Sequence, residues 1–231
     1  MSLGNYSVNV SAGAMPQKVA TAFGNVFEKM VGAEYRPIAY LGSKLVNGTN
    51  HAILAEQTLV TGKDVKSIVL IVLNEKPGDV DGTKFSIVEI SSLMSNGGAF
   101  GGLNIDPQTE IPAEAKAVFD KHFAGFVGAN VKPFALLATQ LVHGGAYVFA
   151  VESSMVVSPS LMKSGNTKSV NLVKVFADFS EIETLEVIRG KSEDEAKGNL
   201  ASANNKTDYA FTWLKNSNQA GNLESPLGEW P

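Results

Sequence analysis

The pattern of apolar and polar positions has the same form in two successive segments of this chain. Shifting residues 15–60 by 96 positions superimposes them without a gap on residues 111–156, and 14 of the 46 pairs are identical. A period this long exceeds the range of about 20–50 residues found in solenoid and propeller repeats. The pattern therefore indicates a duplicated small unit. We call the copies repeat one (residues 1–94) and repeat two (residues 111–190).

Each repeat begins with apolar residues that recur every three or four positions, as on one face of an amphipathic helix. Pro16 and Pro112 are expected in the first helical turn, and Gly32 and Gly128 are expected to end a helix of about four turns. The predicted apolar stripes are Val19, Phe23, Val26, Phe27 and Met30 in repeat one, and Ala115, Val118, Phe119, Phe123, Phe126 and Val127 in repeat two.

After each helix the apolar period changes toward 2, which predicts β-strands. The predicted strands are residues 6–10, 35–46, 51–60, 66–75 and 84–91 in repeat one, and 103–105, 131–142, 147–156, 168–176 and 183–189 in repeat two. Residues 158–165 form an insertion at a hairpin of repeat two. This order predicts an α+β fold of two tandem domains. Each domain would be an antiparallel sheet of four or five strands packed on one α-helix.

Two segments lie outside the repeats. Residues 95–110 contain the glycine-rich stretch 95–102 and are predicted to be a flexible linker. Residues 191–231 form a polar tail, in which Ser192 and Glu195 are spaced like a helix capping box and residues 209–213 form a late apolar cluster. We expect a short helix and a docked segment in this tail.

Composition excludes several classes of function. Charged residues make up 18% of the chain, the formal net charge is -4, and no run of Lys or Arg occurs, so neither nucleic acid nor an anionic membrane is an expected partner. The chain has no cysteine, which excludes disulfides and thiolate nucleophiles. Residues 1–14 show no basic start followed by an apolar run. This pattern predicts no signal peptide and fits a cytoplasmic or a mature secreted protein equally.

The sequence shows no catalytic constellation. His51, His122 and His143 are scattered, without the spacing of metal ligands, so we predict no catalytic residue, no metal and no cofactor. Glu56 and Glu152 occupy the same position in both repeats. We interpret them as solvated strand residues, and His122 as a partly buried helix residue.

One structural finding would reopen the enzymatic interpretation. It is a pocket that gathers at least two of Glu56, His51, Tyr35 and Tyr40.

The turn after the first long strand resembles a known inhibitor motif. In repeat two it reads Gln140, Leu141, Val142, His143, Gly144, and this is similar to the Gln-x-Val-x-Gly hairpin of the cystatins, which inhibit papain-like cysteine proteases. Repeat one has Lys44, Leu45, Val46, Asn47, Gly48 at the equivalent turn, with Lys44 in place of the glutamine. The resemblance in element order covers about 75–80 residues of each repeat, and it is the basis on which we predict cystatin-like domains.

The resemblance implies a wedge that enters a protease cleft, made of a glycine-containing N-terminal segment and two hairpin tips. In repeat two the implied protease-binding residues are the five from Gln140 to Gly144, together with Gly101, Gly102 and Phe179. The equivalents in repeat one are the five from Lys44 to Gly48, together with Pro77 and Gly78. Neither repeat has both hairpin tips in full, and repeat two is the better candidate.

These observations predict a non-catalytic binding protein with a protein partner, most specifically a cysteine protease. A non-inhibitory cystatin-like binding module and a latexin-like metallocarboxypeptidase inhibitor are the alternatives, and the second rests on architecture alone. Because hairpins of this kind can exchange between chains, we expect either a monomer or a domain-swapped dimer.

Overall fold

Both repeats form the same succession of elements. The structure is a computed structural model that describes residues 6–60, 64–96, 102–142, 144–155 and 168–190. Repeat one contains β1 (Ser7–Ala12), α1 (Gln17–Phe27), β2 (Ala33–Val46), β3 (Gly48–Val60), β4 (Asp64–Glu75) and β5 (Phe85–Ser95). Repeat two contains β6 (Asn104–Gln108), α2 (Ala113–Phe123), β7 (Ala129–Gln140), β8 (Ala146–Met155), β9 (Lys168–Phe176) and β10 (Ile182–Arg189).

The strands of each repeat form one antiparallel sheet in chain order. The two orders are β1-β2-β3-β4-β5 and β10-β9-β8-β7-β6. Helices join β1 to β2 and β6 to β7, and hairpins join the later strands of each sheet; in the β2–β3 turn Val46 pairs with Gly48. Bulges interrupt β2 and β7 at equivalent positions, near Pro37 and Pro133, where proline cannot donate to the ladder.

The predicted fold class is wrong. Strands account for 60% of the structure and helices for 14%, and the described residues form two five-stranded sheets rather than two domains that are each packed on a helix. The largest core cluster contains residues from both sheets, among them Leu54 and Leu70 of repeat one and Leu137 and Leu172 of repeat two. The two sheets therefore pack face to face and share one core.

The physical reason is that the central strands are apolar on both faces. Residues 68–73 of β4 are six successive apolar residues, each no more than 1% exposed. A sheet that is covered on one face only has alternating apolar and polar residues, whereas an unbroken apolar run is typical of a strand buried on both faces. One helix cannot cover both faces of a sheet, so the second face requires another layer.

The contacts between the sheets follow an approximate two-fold symmetry. Strand β1 contacts β9, and the equivalent strand β6 contacts β4, the equivalent of β9. At the border of the two sheets Tyr6 forms a parallel bridge with Gly190, and the Tyr6 amide donates to the Arg189 carbonyl oxygen over 3.0 Å. The repeats thus pack as the two subunits of an isologous dimer do, within one chain.

Each helix covers part of the sheet face that is turned away from the shared core. Phe23 of α1 packs with Ile53 and Ile71, and Phe119 of α2 packs with Phe149 and Val173. Both helices end at residues 27 and 123, about one turn before the predicted glycines.

The residues just beyond the helices do not continue the buried apolar stripe. Val31 and Val127 are 99% and 92% exposed, because the chain turns there into the next strand and no sheet surface lies beneath them.

Several predictions lie outside the described residues. They concern the tail 191–231, the linker residues 97–101, the insertion 158–165 and the end of the strand predicted at residue 156.

Candidate protein-binding edges

The β7–β8 hairpin carries the motif that resembles the cystatins. Leu141 at its tip is 94% exposed, and Val142 is half-buried. The turn is tight, since the Gly145 amide donates to the Val142 carbonyl oxygen over 2.8 Å. Gly144 has φ +82°, a conformation that favours glycine, and a Cβ there would collide with the Asp178 carboxylate. His143 lies outside the described residues.

The loop between β9 and β10 lies beside this tip. The Ala177 amide donates to the Gly145 carbonyl oxygen over 2.9 Å, which connects the two turns. Phe179 is 47% exposed, and its carbonyl oxygen lies 2.7 Å from Nε2 of the half-buried His122 on α2. The loop that carries this exposed aromatic ring is therefore held beside the hairpin.

The start of β6 reaches the same place. Asn104 pairs with Thr139, one residue before Gln140, so Gly102 precedes β6 at this side of the sheet. Gly101 lies outside the described residues. We call the group formed by Gly102, the described residues of 140–145 and residues 177–181 the repeat-two edge. It brings together three segments that are far apart in sequence.

Repeat one has an equivalent edge with different chemistry. Leu45 and Val46 are 78% and 43% exposed, and Asn47 is also exposed. Gly48 has φ +93°, and a Cβ there would meet the Glu75 carbonyl oxygen and the Pro77 ring.

The remaining residues predicted for this edge take different roles. Lys44 Nζ lies 6.0 Å from the centre of the Tyr6 ring, so this side chain turns toward the first strand. Pro77 and Gly78 are exposed in the β4–β5 loop beside the hairpin tip. We call the group of Tyr6, residues 44–48 and residues 76–84 the repeat-one edge.

The two edges lie at opposite ends of the molecule. Tyr6 belongs to the repeat-one edge, and it bridges Gly190 at the end of β10 that is distant from the repeat-two edge. A single partner that inserts into one edge therefore leaves the other edge accessible.

Beneath the repeat-one edge lies a network of polar side chains. The Tyr40 hydroxyl and His51 Nδ1 form a hydrogen bond of 3.1 Å, and His51 Nε2 lies 3.0 Å from Glu75 Oε2. Lys18 of α1 donates to the other Glu75 oxygen over 2.6 Å. The Lys18 hydrogen bond lowers the pKa of Glu75, and the His51 contact adds to this effect against a smaller opposing contribution from burial.

This network unites Tyr40 and His51, two of the four residues that would reopen an enzymatic interpretation if a pocket gathered them. Both are buried, at 5% and 8% exposure, and the His51 ring stacks on Phe85 at 5.7 Å. Burial also raises the pKa of the Tyr40 hydroxyl. The buried pair supports the edge from beneath, through the hydrogen bond between His51 and Glu75.

Lys18 also holds the β4–β5 loop through Asp79. It donates to the Asp79 carbonyl oxygen, and its Nζ lies 3.1 Å from the enclosed carboxylate. Burial acts to raise the pKa of Asp79, but hydrogen bonds from the Lys84 and Gly82 amides and from Lys18 outweigh it, so the pKa is lowered. The loop is thus anchored on a charged, fully hydrogen-bonded side chain.

The interpretation of Glu56 as a solvated residue is wrong. Its exposed fraction is 4%, and its carboxylate pairs with Arg36 on β2 and with Lys66 on β4, the latter at 2.8 Å. Burial raises its pKa, but the hydrogen bonds and charges of Lys66 and Arg36 prevail and lower it. Glu152 has an equivalent ion pair with Lys168 at 2.8 Å, in a more exposed setting. The duplicated acid therefore crosslinks neighbouring strands.

Sequence reasoning missed Lys18, Glu75 and Asp79. They lie 57 and 4 residues apart in the chain and follow no motif spacing. The internal repeat also gives no signal, because the position of Lys18 is occupied in repeat two by Glu114, which accepts a hydrogen bond from Tyr147 over 3.1 Å. Only the folded sheet brings these charges together.

Within the described ranges, no three His, Asp or Glu side chains form a group that could hold a metal ion. No helix in the part of the chain that the structure describes is long and apolar enough to cross a membrane.

Comparison of the chain with models of known protein families gives no match, and comparison with curated proteins gives none either.

Proposed function

We propose that this protein is a non-catalytic protein-binding protein, most specifically an inhibitor of papain-like cysteine proteases that acts through the repeat-two edge. The observation that carries the proposal is the convergence of three segments at that edge. They present Leu141 and Phe179 to solvent on two neighbouring turns that a backbone hydrogen bond connects. Apolar and aromatic side chains near the centre of a contact supply most of the affinity of a protein interface.

The wedge suits inhibition because its tips are preorganised. Gly145 and Ala177 connect the two turns through backbone hydrogen bonds, and the Phe179 carbonyl oxygen lies against His122. A tip that is already ordered loses little conformational entropy on binding. Leu141, rather than the half-buried Val142, is the apolar anchor that this geometry favours, and Phe179 takes the place of the missing second tip.

The test is a titration of a panel of papain-like proteases, with a metallocarboxypeptidase alongside. At about 10 µM protein we expect inhibition of at least one thiol protease, since absence of inhibition excludes binding tighter than roughly −7 kcal/mol. Leu141→Asp should raise the inhibition constant by at least about tenfold, which corresponds to about 1.4 kcal/mol. Its melting temperature should not change, because the side chain is exposed.

Leu45→Asp is the matched control, since Leu45 has the equivalent position at the repeat-one edge and is also exposed. Its inhibition constant should equal that of the wild type. No inhibition of any thiol protease would contradict the proposal and favour a binding module without inhibitory activity. Inhibition of the carboxypeptidase alone would favour the latexin-like alternative.

A further inference from the structure

Repeat two has an open cavity beside its helix. It has a volume of about 370 Å³ and lies between the C-terminal end of α2 and the helix-facing side of the sheet. Phe123, Phe126 and Val131 form apolar walls, whereas Ser153 and Asn171 place polar groups on the floor. None of the described side chains that line it carries a charge.

The same space in repeat one is filled by two larger side chains. Tyr35 stands at the position of Val131, and Gln57 at that of Ser153. The Tyr35 ring lies 4.5 Å from the Phe27 ring, and Gln57 Nε2 donates to the Tyr35 hydroxyl over 2.7 Å. Repeat one thus shows how this fold closes the space, and repeat two has the residues that leave it open.

The strand register shows that the two repeats also differ at two further positions that line the cavity. Glu56 pairs with Ile68 and Glu152 pairs with Val170, so Asn171 of repeat two corresponds to Val69 of repeat one. By the same register Thr184, a further lining residue, corresponds to Ile90. At these four positions around one cavity, the side chains of repeat two are therefore either smaller or more polar than those of repeat one.

The polar floor has a defined hydrogen-bonding capacity. Asn171 Nδ2 donates to the hydroxyls of Ser153 and Ser169, each over 3.0 Å. This uses both amide hydrogens and fixes the orientation of the side chain. Among the described residues none donates to Asn171 Oδ1, which is therefore available to a hydrogen-bond donor in the cavity.

We propose that this cavity binds a small, neutral, largely apolar molecule with one hydrogen-bond donor, such as a hydroxyl or an N–H group. The volume is at the lower end of the range of about 300–1,000 Å³ that is usual for ligand pockets, which are mostly apolar with a few placed polar groups. A charged ligand is disfavoured, since an ion without a partner is costly to remove from water. The donor contacts Asn171 Oδ1, and the apolar part packs against Phe123 and Val131.

The probe for the test is N-phenyl-1-naphthylamine, a neutral apolar fluorophore with a single N–H donor, titrated into the full chain. We expect saturable binding of one probe per chain, with displacement by 1-decanol. Decanoate has the same chain length with a negative charge, and it should compete at least about tenfold more weakly because the described lining residues offer no cation. Equal competition by decanoate would overturn the neutral-ligand assignment.

Variants that install the residues of repeat one test the location of the site. Val131→Tyr combined with Ser153→Gln should weaken probe binding by at least about tenfold, or 1.4 kcal/mol, without lowering the melting temperature. Val31→Tyr adds the same ring at a 99% exposed site and should leave binding unchanged. If the double variant does not fold, Asn171→Val removes the acceptor and should weaken binding by itself.

Unchanged affinity in the double variant, or no saturable binding by the wild type, would overturn the proposal. Binding that occurs only after proteolytic removal of residues 191–231 would also contradict it, since the natural occupant would then be the tail of this chain. Binding that decreases as protein concentration rises would assign the cavity to a second copy of the chain. These readouts are independent of protease inhibition.

Discussion

At the residue scale, the repeat-one edge depends on one cation. Lys18 of α1 contacts the Glu75 carboxylate at the end of β4 and the Asp79 carboxylate in the following loop. Glu75 in turn accepts a hydrogen bond from His51. Because these contacts join the loop to the helix, the charge of Lys18 decides how firmly the loop is held.

The lowered pKa values of Glu75 and Asp79 predict loss of stability in acid. Their ordinary values are 4.5 and 3.8, and the folded state lowers both. Their ionised forms therefore favour folding. This contribution is fully present above the ordinary values and is lost as the pH falls through the lowered ones. The melting temperature should fall as the pH is lowered through this range. Lys18→Met should reduce the slope of this fall.

The contribution of Lys18 to stability depends on pH in the opposite direction. Its pKa is raised above the ordinary value of 10.5, mainly by the Glu75 hydrogen bond, so its contribution is present below that value and is lost as the pH rises through the raised one. Lys116→Met is the matched control. It removes a lysine from a largely exposed pair with Asp120, and such pairs contribute little. An acid slope that is the same in Lys18→Met and Lys116→Met would contradict the role of Lys18.

At the element scale, the hairpin glycines of the two repeats predict different costs of substitution. Gly48 and Gly144 both have positive φ, so alanine is strained at each. A Cβ at Gly48 would meet the Glu75 backbone, whereas one at Gly144 would meet the flexible Asp178 side chain. Gly48→Ala should therefore destabilise the protein by more than about 1 kcal/mol, and Gly144→Ala by less than Gly48→Ala.

Gly24→Ala is the control for this pair. Gly24 lies inside α1, has an ordinary helical conformation, and has open space where the Cβ of an alanine would lie, with no atom of another element within 4 Å. Alanine there should stabilise the protein by about 0.5–1 kcal/mol. Chemical denaturation of the three variants gives the comparison, and equal losses in Gly48→Ala and Gly144→Ala would contradict the contact-based explanation.

The elements also show how far the sequence predicts this fold. Helices and strands were found near their predicted positions, because period and turn residues are local signals; β2 (Ala33–Val46), for example, was predicted as residues 35–46. The partner of each sheet was not predicted, although residues 68–73 carry its signal as an unbroken apolar run. A repeat of one unit suggests two domains, and it does not reveal that the units bury a shared face.

The candidate sites were predicted to different degrees. The motif with Leu141 and Gly144 has a recognisable spacing, so the hairpin could be found in the sequence. The cavity depends on the absence of bulk at Val131 and Ser153, and its meaning emerges only when Tyr35 and Gln57 are seen to fill the equivalent space. Partners that are distant in sequence leave no local signal.

At the scale of the whole molecule, the shared core predicts that both repeats unfold together. Leu54 and Leu172 are buried in the same cluster but belong to different sheets. Leu172→Ala should lower stability by about 2–5 kcal/mol and shift one common transition, because the cavity weakens the packing of both sheets. Differential scanning calorimetry gives the measurement. Two separated transitions, with only one moved by the substitution, would contradict the single core.

The opposite orientation of the two edges bears on how the protein would bind the proposed protease. Both edges have an exposed leucine at the hairpin tip, but only the repeat-two edge adds an exposed aromatic ring on the neighbouring loop, Phe179. We therefore assign the proposed inhibition to one end of the molecule. The asymmetry follows from the side chains of the two edges, which lie at opposite ends of the molecule.

The most direct test is the molar mass of the complex between the full chain and an inhibited papain-like protease in excess, measured by light scattering. We predict one protease per chain of 24.4 kDa, and a complex that Leu141→Asp weakens by at least about tenfold. A complex with two proteases per chain, or one whose affinity Leu141→Asp leaves unchanged, would contradict the assignment of binding to the repeat-two edge.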